Sequence, residues 1–159
     1  MPCDKSVLFE FLEVLNDDLT RKVTLVAAGG TALTLLDLKP STIDIDFTVP
    51  SSDLPEFERA LKNNPPGFKV DRWADGYVFC QSLPSDYLDK SIRIKEYSRI
   101  SLKALHPVDI IVTKIGRLDQ RYQRHRNLHQ SIRNFKRRDI GKSGSREPDV
   151  CSQRGRLSA

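Results

Sequence analysis

The sequence of 159 residues has few cysteines and lacks a long uninterrupted hydrophobic run. Its three cysteines, Cys3, Cys80 and Cys151, are dispersed without a CxxC spacing, which argues against both a disulfide framework and a zinc site. The longest apolar stretch, residues 23–38, is interrupted by two glycines and by polar residues, so it falls short of the about 20 apolar residues of a transmembrane helix. The N-terminal residues lack the basic region and apolar core of a secretory signal, so we expect a cytoplasmic protein.

The composition, with 38% hydrophobic and 30% charged residues, is that of an ordinary globular domain. The net charge of +5 is unevenly distributed along the chain. Residues 117–159 contain 12 Lys and Arg against four Asp and Glu, whereas the remaining 116 residues contain 14 and 17. We therefore predict one domain over residues 1–118 and a basic, poorly ordered tail over residues 119–159.

Hydrophobic periodicity predicts alternating helices and strands within the first 118 residues. Ser6 is placed to cap a first helix, and "VTLVAAGG" is typical of a buried strand that runs into a glycine turn before a second helix. The other predicted elements are a helix over residues 51–64, strands over 41–49, 68–73, 77–83 and 91–97, and a helix from Pro107. This order favours a small α/β or α+β domain.

The clearest strand pattern is "STIDIDFTV", residues 41–49, in which apolar and polar residues alternate. Asp44 and Asp46 are two positions apart, so their side chains project from the same face, about 6.5–7 Å apart along the strand. Two carboxylates this close repel each other, and a divalent cation relieves the repulsion while both stay ionised. Taken alone, such a pair is also typical of a solvent-facing strand.

A glycine turn precedes this strand. Gly29 and Gly30 permit a close approach of the backbone, and the amides of Gly30 and Thr31 at a helix N-terminus are suited to bind a phosphate. The Thr31 hydroxyl offers a further donor. The structural alternative is a tight strand-to-helix turn with no ligand.

The two motifs together resemble the nucleotidyltransferase fold shared by DNA polymerase beta, minimal nucleotidyltransferases and AbiEii-type toxins. In that family a GG[ST] turn begins a helix, and D-x-D follows on a strand, as Gly29 to Thr31 and Asp44 with Asp46 do here. The resemblance implies a small mixed sheet flanked by helices, Mg²⁺ or Mn²⁺ at the two aspartates, and an NTP as substrate. It further implies transfer of NMP to an RNA or protein acceptor, as in toxin–antitoxin relatives.

The resemblance also implies two further site residues. In AbiEii-like proteins a later helix carries K-x-x-x-L-x-x-R-x-x-x-D, and "TKIGRLDQR" matches the first half of this motif, which makes Lys114 a candidate for binding the nucleotide's phosphates. The fold supplies a third acidic residue from a neighbouring strand. Asp71 is the first candidate for that residue and Asp109 the second, although Asp109 also fits the first turn of a helix.

Two other functions remain open from the sequence. One is a non-catalytic, nucleotide-binding antitoxin or pseudo-enzyme of the same fold, which would bind nucleotide without transfer and which a missing third carboxylate would favour. The other is an RNA-binding protein that contacts phosphates through its basic tail.

The Arg-rich tail departs from the family pattern, which continues as an acidic amphipathic helix. This departure leads to the hypothesis that the coding sequence is frameshifted near Arg121. Codons for Arg121 and Tyr122, read one base later, permit Asp followed by Ile, and the codons of His125 and His129 likewise permit Ile. The three Ile positions are at helical spacing. Under this hypothesis the basic charge of the tail has no selected function.

Overall fold

The computed structural model describes residues 2–142, and the residues up to Asp119 form one compact unit. The strands are β1 (Cys3–Asp4), β2 (Val23–Ala27), β3 (Ser41–Thr42), β4 (Ile45–Val49), β5 (Val70–Ala74), β6 (Tyr77–Val78), β7 (Gln81–Ser82), β8 (Ile92–Glu96) and β9 (Ile100–Ala104). Five of them form a mixed sheet in the order β5-β4-β2-β9-β8. Strand β2 runs antiparallel to β4 and parallel to β9, and β4 runs parallel to β5. The predicted mixed α/β architecture is confirmed.

The helices are α1 (Lys5–Asp18), α2 (Gly29–Leu35), α3 (Leu54–Asn63), α4 (Tyr87–Lys90) and α5 (Pro107–Lys142). Helix α1 buries one apolar face, formed by Leu8, Leu12 and Leu15. Helix α3 covers β4, because Phe57 packs edge-on against Phe47 with ring centroids 5.9 Å apart. Each such fully buried side chain contributes about 1.5–3 kcal/mol to folding. This core lies behind β4 and leaves the opposite face of the strand for polar side chains.

Two sequence predictions about these elements are wrong, and one strand was not predicted. Helix α1 is capped by Asp4 and not by Ser6, since the Asp4 carboxylate accepts a hydrogen bond from the Val7 amide at 3.0 Å. The predicted strand over residues 77–83 is a hairpin of two short strands. The segment from Ile100 to Ala104, which has no clear alternation, is a strand between β2 and β8. It is buried on both faces, so its residues need not alternate.

The predicted strand over residues 41–49 is also interrupted. Residues 41–42 pair with Cys3 and Asp4, residues 43–44 form a bend, and β4 begins at Ile45. Ile43, an apolar position of the predicted alternation, lies in this bend and is 67% exposed.

Helix α5 is continuous from Pro107 to Lys142, so it includes residues that the sequence interpretation assigned to a poorly ordered tail. The predicted boundary after Leu118 falls within this helix and one residue before the end of the compact unit. The rest of the predicted tail, residues 143–159, lies outside the described residues. Within the described part of the chain, the helices include none with the length and apolar character needed to cross a membrane.

Candidate active site

Two aspartates on neighbouring strands lie side by side on one face of the sheet. Asp46 of β4 and Asp71 of β5 are direct partners in the parallel register. Register partners project to the same face, and neighbouring strands are about 4.8 Å apart. Thr48 and Trp73, the next partners in the same alternation, continue this face. The sheet thus brings Asp71, a candidate from the sequence, next to Asp46.

Asp44 lies just before β4, in the bend, and is exposed. Its carbonyl oxygen accepts hydrogen bonds from the hydroxyls of Thr42 at 3.0 Å and Thr31 at 3.3 Å. These bonds hold the bend in place although Asp44 is not itself paired in the strand. Its carboxylate is near enough to Asp46 to raise the pKa of that residue.

The electrostatics of Asp46 distinguish it from the other acidic residues. Its side chain is buried, and this burial, with the neighbouring charges of Asp71 and Asp44, raises its pKa to about 7. The Arg117 guanidinium and the Lys69 ammonium oppose the rise. The charged form of this carboxyl is therefore disfavoured until a further positive charge arrives.

Asp71 already has a cationic partner. Lys69, two residues earlier on the chain, donates to the Asp71 carboxylate at 2.7 Å, and this contact raises the pKa of Lys69. Both side chains remain partly exposed, with 65% of the lysine and 32% of the aspartate side chain accessible. The ion pair lies at the surface, where such pairs contribute little to stability, so a ligand can displace the lysine at low cost.

The glycine turn leaves no room for side chains. Gly29 has a left-handed φ of 53°, and a Cβ there would lie 3.1 Å from the Asp46 Oδ2 and 3.0 Å from the ring of Phe79. A Cβ at Gly30 would lie 2.7 Å from the Thr42 hydroxyl. The Lys39 ammonium lies 3.6 Å from the position of this Gly30 Cβ, so a cation adjoins the turn. Close packing thus disfavours a side chain at both positions, against Asp46 and Phe79 at Gly29 and against Thr42 at Gly30.

Thr31 has a different role from the one its position in the sequence predicts. Its side chain is fully buried, and its hydroxyl accepts from the Asp46 amide at 2.9 Å while it donates to the Asp44 carbonyl. The hydroxyl is therefore occupied within the protein. Only the backbone amide of Thr31 is left to contact a phosphate.

The two remaining predicted residues lie on α5. Lys114 is exposed, and the main charges that shift the pKa of Asp46 do not include it. Asp109 is 6% exposed in the first turn of α5 and lines a separate pocket with Lys90 and His106. The structure therefore brings Asp109 to another location and not beside Asp46.

Arg117, Phe79 and Lys39 adjoin the site but were not identified from the sequence. Arg117 follows Lys114 by three residues, so it lies on the same side of the helix, and this spacing is the signal that could have identified it. Phe79 lies in the hairpin turn between β6 and β7. Lys39 and Phe79 reach the site only through the tertiary fold.

The chemistry of this carboxylate set fits a hard divalent cation. Magnesium is typically held by one or two carboxylates, with phosphate oxygens and water completing its coordination, and Asp44 with Asp46 supply such a pair. Within residues 2–142, no group of three or more His, Cys, Asp or Glu side chains is arranged to hold a metal ion. The arrangement thus fits a cation that binds together with nucleotide phosphates better than a complete protein cage.

Comparison with known proteins agrees with this geometry. A family model described as "Nucleotidyltransferase of unknown function (DUF6036)" matches residues 6–131, which extends beyond the predicted domain boundary at Leu118. The matched region contains the glycine turn and the three neighbouring aspartates. A search of curated proteins finds no match.

A crystal structure of a "putative nucleotidyltransferase" from Thermotoga maritima has a similar fold, with a TM-score of 0.56. The two sequences are 16% identical, and the likeness covers 80% of this chain and 96% of the other. At this identity the likeness establishes the fold alone, and the fold is that of a nucleotidyltransferase.

Proposed function

We propose that this chain, which belongs to the DUF6036 family of nucleotidyltransferases, transfers a nucleoside monophosphate from an NTP to an acceptor hydroxyl. The observation that supports this most is the environment of Asp46. This carboxyl lies beside the glycine turn, next to Asp71, with its pKa raised to about 7 by burial and by neighbouring carboxylates. Such a group is suited to bind a cation, because the cation offsets the unfavourable charge.

Different residues of the site would bind the metal ion and the phosphates of the NTP. Asp44 and Asp46 would hold Mg²⁺ or Mn²⁺, which when bound polarises the α-phosphate and offsets its charge. We assign the outer phosphates to the amides of Gly30 and Thr31, which lie in the first turn of α2 beside Asp46. Lys114 is a further candidate for the phosphates on the basis of its motif.

The proposed reaction is a displacement at the α-phosphorus. The acceptor oxygen forms a bond to phosphorus, the bond from phosphorus to the α–β bridging oxygen breaks, and pyrophosphate leaves. The hydroxyl proton passes to Asp71, whose carboxylate lies next to Asp46 and is held by Lys69 at 2.7 Å. We propose an RNA or a protein as acceptor, as in the toxin–antitoxin relatives that the sequence resembles.

Calorimetric titration with the four NTPs in magnesium buffer tests the nucleotide site. The wild type is compared with an Asp44→Ala, Asp46→Ala double variant, and circular dichroism establishes that both are folded. A double variant at two exposed aspartates, Asp17→Ala with Asp89→Ala, changes the net charge equally and serves as the control. We expect binding that requires both the metal and the two site aspartates. A folded wild type that binds no NTP would contradict the proposal.

A second candidate is a nucleotide-binding module without transferase activity. It is favoured by the ion pair between Lys69 and Asp71, which occupies the proposed proton acceptor in this structure. Incubation with α-labelled NTP and cellular RNA or protein distinguishes the two candidates. Label incorporation that Asp71→Asn abolishes, with NTP affinity retained, supports the transferase. NTP binding without incorporation into any acceptor supports the binding module.

A further inference from the structure

The hairpin turn between β6 and β7 places an aromatic ring at the candidate active site. Phe79 and Cys80 form this turn, and both have left-handed backbone conformations, with φ of 52° and 64°. Asn and Gly are the residues favoured in a two-residue turn of this kind, because a bulky side chain is strained at positive φ. The turn thus holds two non-glycine residues at positive φ and places the Phe79 ring beside the site.

The Phe79 ring and the Asp46 carboxylate meet at the glycine turn. Both lie close to the point where Gly29 would carry a Cβ, at 3.0 Å for the ring and 3.1 Å for the Asp46 Oδ2. On another side, Phe79 packs edge-on against Trp73, with ring centroids 4.9 Å apart. The ring is therefore part of the wall of the site.

Arg117 lies over this ring. Its guanidinium carbon is 4.1 Å from the centroid of Phe79, the geometry of a cation–π contact. The guanidinium charge also lowers the pKa of Asp46, so it acts on the carboxylate that is proposed to hold the metal. Among the described residues, Arg117 has no acidic partner within 4.0 Å. Because stacking uses the face of the guanidinium, the N–H groups at its edge stay available.

We propose that Arg117, oriented by Phe79, binds the β- and γ-phosphates of the NTP. Arginine suits this role because its planar fork of donors binds phosphate oxygens in pairs. The triphosphate then lies between the amides of the glycine turn and the guanidinium. This inference rests on the proposed function, and it assigns to Arg117 a contact that the sequence pattern assigned to Lys114.

The single tryptophan of the chain, Trp73, provides a direct readout because it contacts Phe79. Its fluorescence is followed while the protein is titrated with each NTP and with the matching nucleoside monophosphate in magnesium buffer. We expect Arg117→Ala to weaken NTP binding about tenfold to a hundredfold, the loss typical of a hydrogen bond between charged groups, and to leave NMP binding unchanged. Arg93→Ala, which removes an exposed arginine on β8, is the charge-matched control and should change neither affinity.

Phe79 is tested as a positioning residue by calorimetry, since its replacement alters the environment of Trp73. Phe79→Leu should weaken NTP binding, as Arg117→Ala does. Phe79→Tyr should bind NTP as the wild type does, because it keeps the aromatic ring on which the Arg117 guanidinium stacks. If Phe79→Tyr and Phe79→Leu weaken NTP binding equally in folded protein, the positioning role is wrong.

The outcomes separate this inference from the proposed function. Absence of NTP binding by the folded wild type overturns both. NTP binding that depends on Asp44 and Asp46 but is unchanged in Arg117→Ala overturns this inference alone. An equal loss of NTP and NMP affinity in Arg117→Ala places the contact elsewhere on the nucleotide and overturns the assignment to the β- and γ-phosphates.

Discussion

The hydroxyl of Thr31 accepts a hydrogen bond from the backbone amide of Asp46 at 2.9 Å. The Asp46 carbonyl accepts a second bond, also of 2.9 Å, from the amide of Ala28. The glycine-turn segment therefore binds both backbone groups of the central aspartate. Two motifs that are separate in the sequence form one hydrogen-bonded unit, so a change in either alters the position of the other.

We predict that Thr31→Val destabilises the protein by about 1–3 kcal/mol, because it leaves the buried amide of Asp46 without an acceptor. Thr34→Val is the matched control on the same helix. The Thr34 hydroxyl donates to the Gly30 carbonyl at 3.0 Å, and its loss leaves no buried donor unpaired. Urea unfolding at pH 8 measures both. Equal losses of stability in the two variants would show that the bond to the Asp46 amide contributes no more than the bond to the Gly30 carbonyl.

The glycine turn should be intolerant of a single methyl group. Gly29→Ala places a Cβ at positive φ against Asp46 and Phe79, and we expect a loss of about 1–2 kcal/mol together with weaker NTP binding. Gly67→Ala is the control, since a Cβ there meets nothing within 4 Å. Thermal unfolding and calorimetry measure the two effects. Wild-type behaviour of Gly29→Ala in both assays would contradict the close packing.

Asp46 should make the stability of the metal-free protein depend on pH. The pKa of this carboxyl rises from 3.8 to about 7 on folding, so the folded state binds more protons than the unfolded state between these values. The contribution of Asp46 to the free energy of unfolding is therefore most favourable below pH 4. It decreases as the pH rises towards 7 and is constant above the folded-state pKa. At about 1.4 kcal/mol per unit, the decrease is about 4 kcal/mol at most.

Asp46→Asn isolates this contribution. The amide retains the shape of the side chain without the charge, so the variant should be more stable than the wild type at pH 8 and equally stable near pH 4. Urea unfolding across this range measures the difference, with the exposed Asp89→Asn as control. Parallel curves for wild type and Asp46→Asn would show that burial does not disfavour the Asp46 charge.

The frameshift hypothesis predicts a specific DNA sequence. The first turns of α5 present an apolar face on which five side chains, those of Val108, Ile111, Val112, Ile115 and Leu118, are each more than half exposed. A helix face of this kind is ordinarily covered by another element. We predict that the resequenced gene, read one base later from Arg121, encodes Asp followed by Ile and continues as an amphipathic helix.

Protein expressed from the frame-restored gene should have a higher free energy of unfolding, by about 1 kcal/mol for each of these side chains that becomes covered. It should therefore unfold at a higher urea concentration. Codons at Arg121 and Tyr122 that do not permit Asp and Ile in the shifted frame would exclude the hypothesis.

Local patterns in the sequence were enough to predict the parts of the site that are close together along the chain. The alternation from Ile45 to Val49 is present in the folded strand because a buried strand face requires apolar residues at every second position. The paired glycines likewise indicate a turn in which a Cβ does not fit. The mixed α/β class follows from the order of such segments.

Only the tertiary structure decided which distant residues join them. Asp71 lies beside Asp46 because β5 pairs with β4 in one register, and a shift by one residue would place it on the opposite face. Arg117 and Phe79 reach the site through the packing of a helix and a hairpin, and the raised pKa of Asp46 exists only once folding excludes water from it. Register, packing and burial depend on contacts between residues far apart in the chain, which no local pattern encodes.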